Sequence, residues 1–82
     1  MATVFRSRRR FRVVVYSNDH PPPHVHAVGP DGDARFLLNC PDGPVTLWDH
    51  EGSWTLALVR ELGEEIADRL GECCETWSAI HG

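Results

Sequence analysis

At 82 residues, with 41% hydrophobic and 24% charged side chains, the chain has room for one hydrophobic core and predicts a single domain over residues 1–82. It has no apolar run of the roughly 18 residues that a membrane-spanning helix needs, and its arginine-rich start leads into Phe11-Arg12-Val13-Val14-Val15-Tyr16 rather than into a signal-peptide core. The net charge of −4 conceals an asymmetry: residues 1–12 hold five arginines and no acid, and all twelve carboxylates follow them. There is no lysine, so every positive side chain is a planar guanidinium suited to bidentate contact with phosphate or carboxylate.

In chain order, residues 3–6 and 10–17 read as two strands around an arginine-rich turn, because β-branched and aromatic residues dominate both. In the second, Phe11, Val13 and Val15 face one way and Arg12, Val14 and Tyr16 the other. Three prolines at 21–23 then end the strand and predict a rigid polyproline connector. Residues 24–28 and 34–39 form a hairpin about a turn at 29–33. A second turn at 40–44 leads to a short edge strand at 45–48. From Ser53, an expected N-cap, the period becomes helical: Val59, Leu62, Ile66, Leu70, Cys73, Trp77 and Ile80 recur three or four apart. A single rod over 54–81 would be about 42 Å long, which predicts a bend at Gly63 or Gly71. The fold class is therefore α+β, an antiparallel meander of four to five strands with a C-terminal helix, bent or split in two, on one sheet face. The other face is left without a helix of its own.

Chemistry concentrates in Tyr16-Ser17-Asn18-Asp19-His20-Pro21-Pro22-Pro23-His24-Val25-His26. His24 and His26 alternate with Val25, so a strand projects them to one face about 7 Å apart, a spacing that suits two ligands of one metal. Imidazole ligands favour zinc or nickel, with the third ligand drawn from Asp19, His50 or a second subunit. His20 lies about 12 Å of polyproline away and joins only if the connector folds back. Two imidazoles beside arginine also supply an acid, a base and a phosphate clamp. As an enzyme the chain would then be a ribonuclease, metal-independent or metal-assisted, with His24, His26 and His20 as its catalytic groups. Tyr16, Asn18, Arg8, Arg9, Arg10 and Arg12 are the candidate binding residues, for RNA or for an acidic partner. For the arginines the alternative is pairing with the chain's own acidic helix. Trp48 and Trp54 flank the strand-to-helix turn and suit a small satellite cluster. The odd cysteine count, with Cys73 and Cys74 adjacent, fits reduced thiols and a cytoplasmic location better than a disulfide framework.

The run Phe11 to His26, continued by Gly32-Asp33-Ala34-Arg35-Phe36 and the tail Trp77-Ser78-Ala79-Ile80-His81-Gly82, resembles a small bacterial family catalogued as domain of unknown function 4160. The resemblance covers nearly the whole chain and departs at Ser7-Arg8-Arg9-Arg10, a turn that often contains glycine in the family. It implies a genetic context of toxin–antitoxin type, and hence a small partner protein. The leading expectation is a cytosolic component that binds this partner, or itself, through the open sheet face and the His20–His26 motif, with RNA as a further ligand. The rival expectations are a histidine-based divalent-metal module and a homodimeric scaffold without activity.

Overall fold

The computed structural model describes residues 1–30 and 32–82; Asp31, inside the turn expected at 29–33, lies outside the described residues. Five strands come first among these residues: β1 (Ala2–Arg6), β2 (Arg12–Val15), β3 (His24–Gly29), β4 (Gly32–Leu37) and β5 (Thr46–His50). Two helices follow, α1 (Leu56–Asp68) and α2 (Leu70–His81). The strands lie in chain order, each antiparallel to its neighbour, so the sheet is the meander that the alternating pattern implies.

Strand register decides which side chains share a face. Phe5 pairs with Val13, Val13 with Ala27 and Ala27 with Ala34, and this row belongs to the buried core. Phe11, Val15, Val25, Phe36 and Leu38 complete the sheet's contribution, and Leu58, Leu62, Ile66, Cys73 and Trp77 close the core from the helices. The face carrying Arg12, Val14 and Tyr16 is thus the one without a helix. Along it runs a second row, Thr3–Val14–His26–Arg35–Asp49, in which each residue pairs with the next across all five strands.

The helical segment differs from the sequence expectation at two points. Thr55, not Ser53, caps α1: its hydroxyl accepts the Leu58 N–H at 3.1 Å, the contact of an N-cap with the third helical residue. The break falls at Arg69 (φ −120°, ψ 26°) rather than at either glycine. Arg69 leaves helical geometry with its N–H bonded to Ile66 and Ala67 carbonyls, and its guanidinium lies 4.9 Å from the centre of the Phe5 ring. A straight 42 Å rod would overrun a molecule whose longest dimension is 33 Å. Splitting lets α1 pack against β5 and α2 against β1.

Three further expectations are corrected or decided by packing. The cysteines are not all free thiols: Cys40, in the β4–β5 loop, is disulfide-bonded to Cys74 of α2 across a Cα–Cα distance of 6.0 Å. Cys73 stays free and buried, and burial, with Glu72 adding to it, pushes its thiol up to about 11. Trp48 and Trp54 do not form one cluster. Trp54 packs on Phe11 and Phe36, whereas Trp48 packs on His24 and Arg35. At the β1–β2 tip the acidic helix neutralises part of the arginine cluster. Arg9 donates to both oxygens of Glu61 at 3.1 Å, and the Arg8 backbone N–H donates to Glu65.

Candidate metal centre

The connector from β2 to β3 does not run straight away from the strand. Asp19 and Tyr16 hold each other: the Tyr16 N–H donates to Asp19 Oδ2 at 3.1 Å, and the Asp19 N–H donates to the Tyr16 carbonyl at 3.2 Å. This tight local turn, of a kind aspartate favours, swings the Asp19 carboxylate back over the open sheet face. The proline run then returns the chain to β3, with Pro21–Pro22 in cis.

There the carboxylate meets both strand histidines. The His26 Nε2–H donates to Asp19 Oδ1 and Oδ2 at 3.0 and 3.1 Å. The His24 Nε2 lies 3.6 Å from Asp19 Oδ1, beyond hydrogen-bond reach. All three side chains are shielded, being 11% (Asp19), 3% (His24) and 18% (His26) exposed. One ligand atom from each of Asp19, His24 and His26 falls within 4.8 Å of the others. Burial alone would raise the Asp19 carboxyl, but the bonds from His26 and the Tyr16 N–H, with the fields of both imidazoles, hold it below its usual value.

Aromatic packing fixes the two rings. His24 lies against Trp48 edge-on at 5.1 Å and against Trp77 at 5.3 Å, while the Tyr16 ring meets His26 edge-on at 4.7 Å. Trp77 stacks on His81, whose Nε2 is 3.2 Å from the Tyr16 carbonyl, so the end of α2 braces the connector. Arg35 lies 4.2 Å over Trp48 and grips Asp49 through two parallel bonds. That grip lowers the Asp49 carboxyl against the opposing effect of burial and raises the Arg35 guanidinium.

The hydrogen bond made by His24 fixes its tautomer. Its Nδ1 is 2.8 Å from the Pro22 carbonyl, which can only accept, so Nδ1 carries the proton. In the neutral ring Nε2 is then a bare lone pair, and it faces a carboxylate. Two acceptors opposed in a buried place repel unless a cation lies between them, either a proton or a metal ion. Around a tetrahedral ion with bonds of about 2.0–2.1 Å, ligand atoms sit roughly 3.3 Å apart. The two separations from Asp19 Oδ1, 3.0 and 3.6 Å, bracket that value, and with all three atoms inside 4.8 Å the donor set suits a divalent ion once the two imidazoles draw together.

Of the residues singled out by sequence, His24 and His26 come together as strand alternation requires, and of the named third ligands it is Asp19 that joins them. His20 is exposed on the connector and has no bonded partner among the described residues. His50, at the end of β5, is exposed and outside the cluster. Tyr16 contributes its ring and backbone, while Asn18 points to solvent. Arg10 is exposed, with φ 68°, and Arg12 is half-buried one residue pair from His26 on the open face. Trp48, Trp77, Arg35 and His81 are not among the candidate site residues read from the sequence, although Arg35, Trp77 and His81 stand in the segments that carry the resemblance. Trp77 sits in the helical stripe of the core, and nothing local shows that the stripe's end reaches β3.

No helix among the described residues is long and apolar enough to cross a membrane. Among curated proteins and among solved structures nothing matches the chain. A family model does, over residues 11–77, a span that begins with β2 and ends at Trp77 and so contains every residue of the Asp19–His24–His26 cluster. The chain therefore belongs to the family described as a domain of unknown function, DUF4160.

Proposed function

We propose that the protein is a divalent-metal-binding module in which Asp19, His24 and His26 hold one first-row transition ion, zinc or nickel by ligand preference. The observation that carries the reading is the placement of the His24 Nε2, buried and 3.6 Å from a carboxylate that His26 already engages, while its Nδ1 is taken by the Pro22 carbonyl. A cation in the middle would satisfy all three groups at once. Three protein ligands leave a fourth position for water or a ligand, as at catalytic rather than structural zinc sites.

Calorimetric titration with zinc tests this directly. Wild type and His20→Ala are expected to bind one ion, with a higher melting temperature in each, since an ion held at 100 times its Kd adds about 2.7 kcal/mol of stability. Asp19→Asn and His24→Gln are expected to lose at least about tenfold in affinity. Equal binding by wild type and a His24→Gln/His26→Gln protein, or no binding by wild type, would refute the reading.

A second reading follows the family resemblance: a cytoplasmic component of a toxin–antitoxin-type pair that engages a small partner protein or a second copy of itself. What favours it is the helix-free sheet face with Trp48, 40% exposed, on the edge strand β5. RNA is the weaker ligand for that face, because Arg9 is held by Glu61, the Arg8 guanidinium lies 3.8 Å from Glu65 and Arg35 is gripped by Asp49, which leaves fewer guanidinium groups to hold phosphate. Copurification with a neighbour-encoded protein, and growth arrest on induction that His24→Ala/His26→Ala relieves, are the results this reading requires.

A further inference from the structure

Beside the ligand cluster lies a cleft of about 290 Å3, and we propose that it is the route by which a divalent cation enters and leaves, which rests on the metal-binding reading above. Its walls are His26, Asp33, Arg35, Asp49, His50 and Glu51. The cross-strand row explains the placement, since Arg35 pairs with His26 across β3–β4 and Asp49 pairs with Arg35 across β4–β5. His26 is the most exposed of the three ligands and the one that lines the cleft, so the path from solvent to the cluster passes over its ring.

The charge of this path is lopsided. Three carboxylates face one guanidinium, and Arg35 is already committed to Asp49 and to the Trp48 ring. Asp33 and Glu51, both exposed, therefore act on incoming ions without an opposing charge of their own. A concave surface lined by one sign focuses its field and raises counter-ion association tenfold or more. On the far side of the His26 ring, behind the cleft wall, a separate feature points to a cation: the buried His24 Nε2 lies 3.6 Å from the Asp19 carboxylate, with its Nδ1 already bonded to the Pro22 carbonyl. The same carboxylates that draw a metal ion inward repel phosphate groups, so a polyanion would be turned away before it reached the ligands.

Stopped-flow binding of Co2+, followed by quenching of Trp48 and Trp77 against His24, separates the route from the site. Asp33→Asn/Glu51→Gln is expected to slow association about threefold or more at low ionic strength, with the difference shrinking as salt screens the cleft. Dissociation should change less, and Glu75→Gln, an exposed acid on α2 outside the cleft, should leave both rates alone. Quenching with the same association rate and salt dependence in all three proteins would overturn the route while leaving the metal site standing. Absence of quenching in wild type would overturn both.

Discussion

Asp49 does more than decorate an edge strand: it holds Arg35, Arg35 covers Trp48, and Trp48 meets His24 edge-on. Because the pair lowers the carboxyl of Asp49 in the folded state, its stabilising effect is present above the unfolded value near 4 and is lost as pH falls through the depressed folded value. Both groups are substantially exposed, so screening keeps the effect to about 0–1 kcal/mol. Asp49→Asn is therefore expected to cost under about 1 kcal/mol in urea unfolding at pH 7, with the gap from wild type closing below pH 3. A gap that stays constant down to pH 2 would show that the charge plays no part. At this scale the histidine pair was legible, because a strand sends alternate residues to one face whatever surrounds it. Asp19 was legible only as one of several third ligands, since its return depends on a turn closed by its own carboxylate and the Tyr16 N–H.

Gly29 shows the cost of close approach between elements. It ends β3 beneath the Phe11 ring, and an added Cβ would lie 2.5 Å from Phe11 Cε1 and closer still to Cδ1, well inside van der Waals contact distance. Phe11 is itself buried, so relief would require a core side chain to move. Gly29→Ala is expected to destabilise by about 1–3 kcal/mol, as overpacking generally does. Gly71→Ala in α2, where a new methyl would have nothing within 4 Å, is expected to be neutral or stabilising by up to about 1 kcal/mol. Denaturant midpoints of the two variants on opposite sides of wild type would bear this out; equal midpoints would not. Strands and helix stripe were readable because burial imposes periods of 2 and 3.6 on the sequence itself. The break at Arg69 was not, since it answers to the sheet's width and to Phe5, 64 residues earlier in the chain. The Cys40–Cys74 pairing was hidden for the same reason: only the docking of α2 beside the β4–β5 loop brings the two sulfurs together.

Across the whole molecule, the positive N-terminal hairpin and the acidic helices answer each other in part, through Arg8 with Glu65 and Arg9 with Glu61. The charge asymmetry of the sequence is thus offset in part across the hairpin–helix contact, while a separate acidic surface borders the histidines. The Cys40–Cys74 bond has a topological consequence as well. It closes a covalent ring that encloses β5 and α1, and within the ring residues 51–53 are exposed between the strand and the helix. A protease that cuts there opens the ring without releasing a fragment. The expected products are a single species of unchanged mobility on a non-reducing gel and two pieces once a thiol reductant is added; two pieces without reductant would mean the bond is absent. Nicked molecules would then keep the five-stranded sheet and the two helices on one covalent frame, so that a break in the backbone beside the cleft leaves Asp19, His24 and His26 still tethered to the helix that braces them.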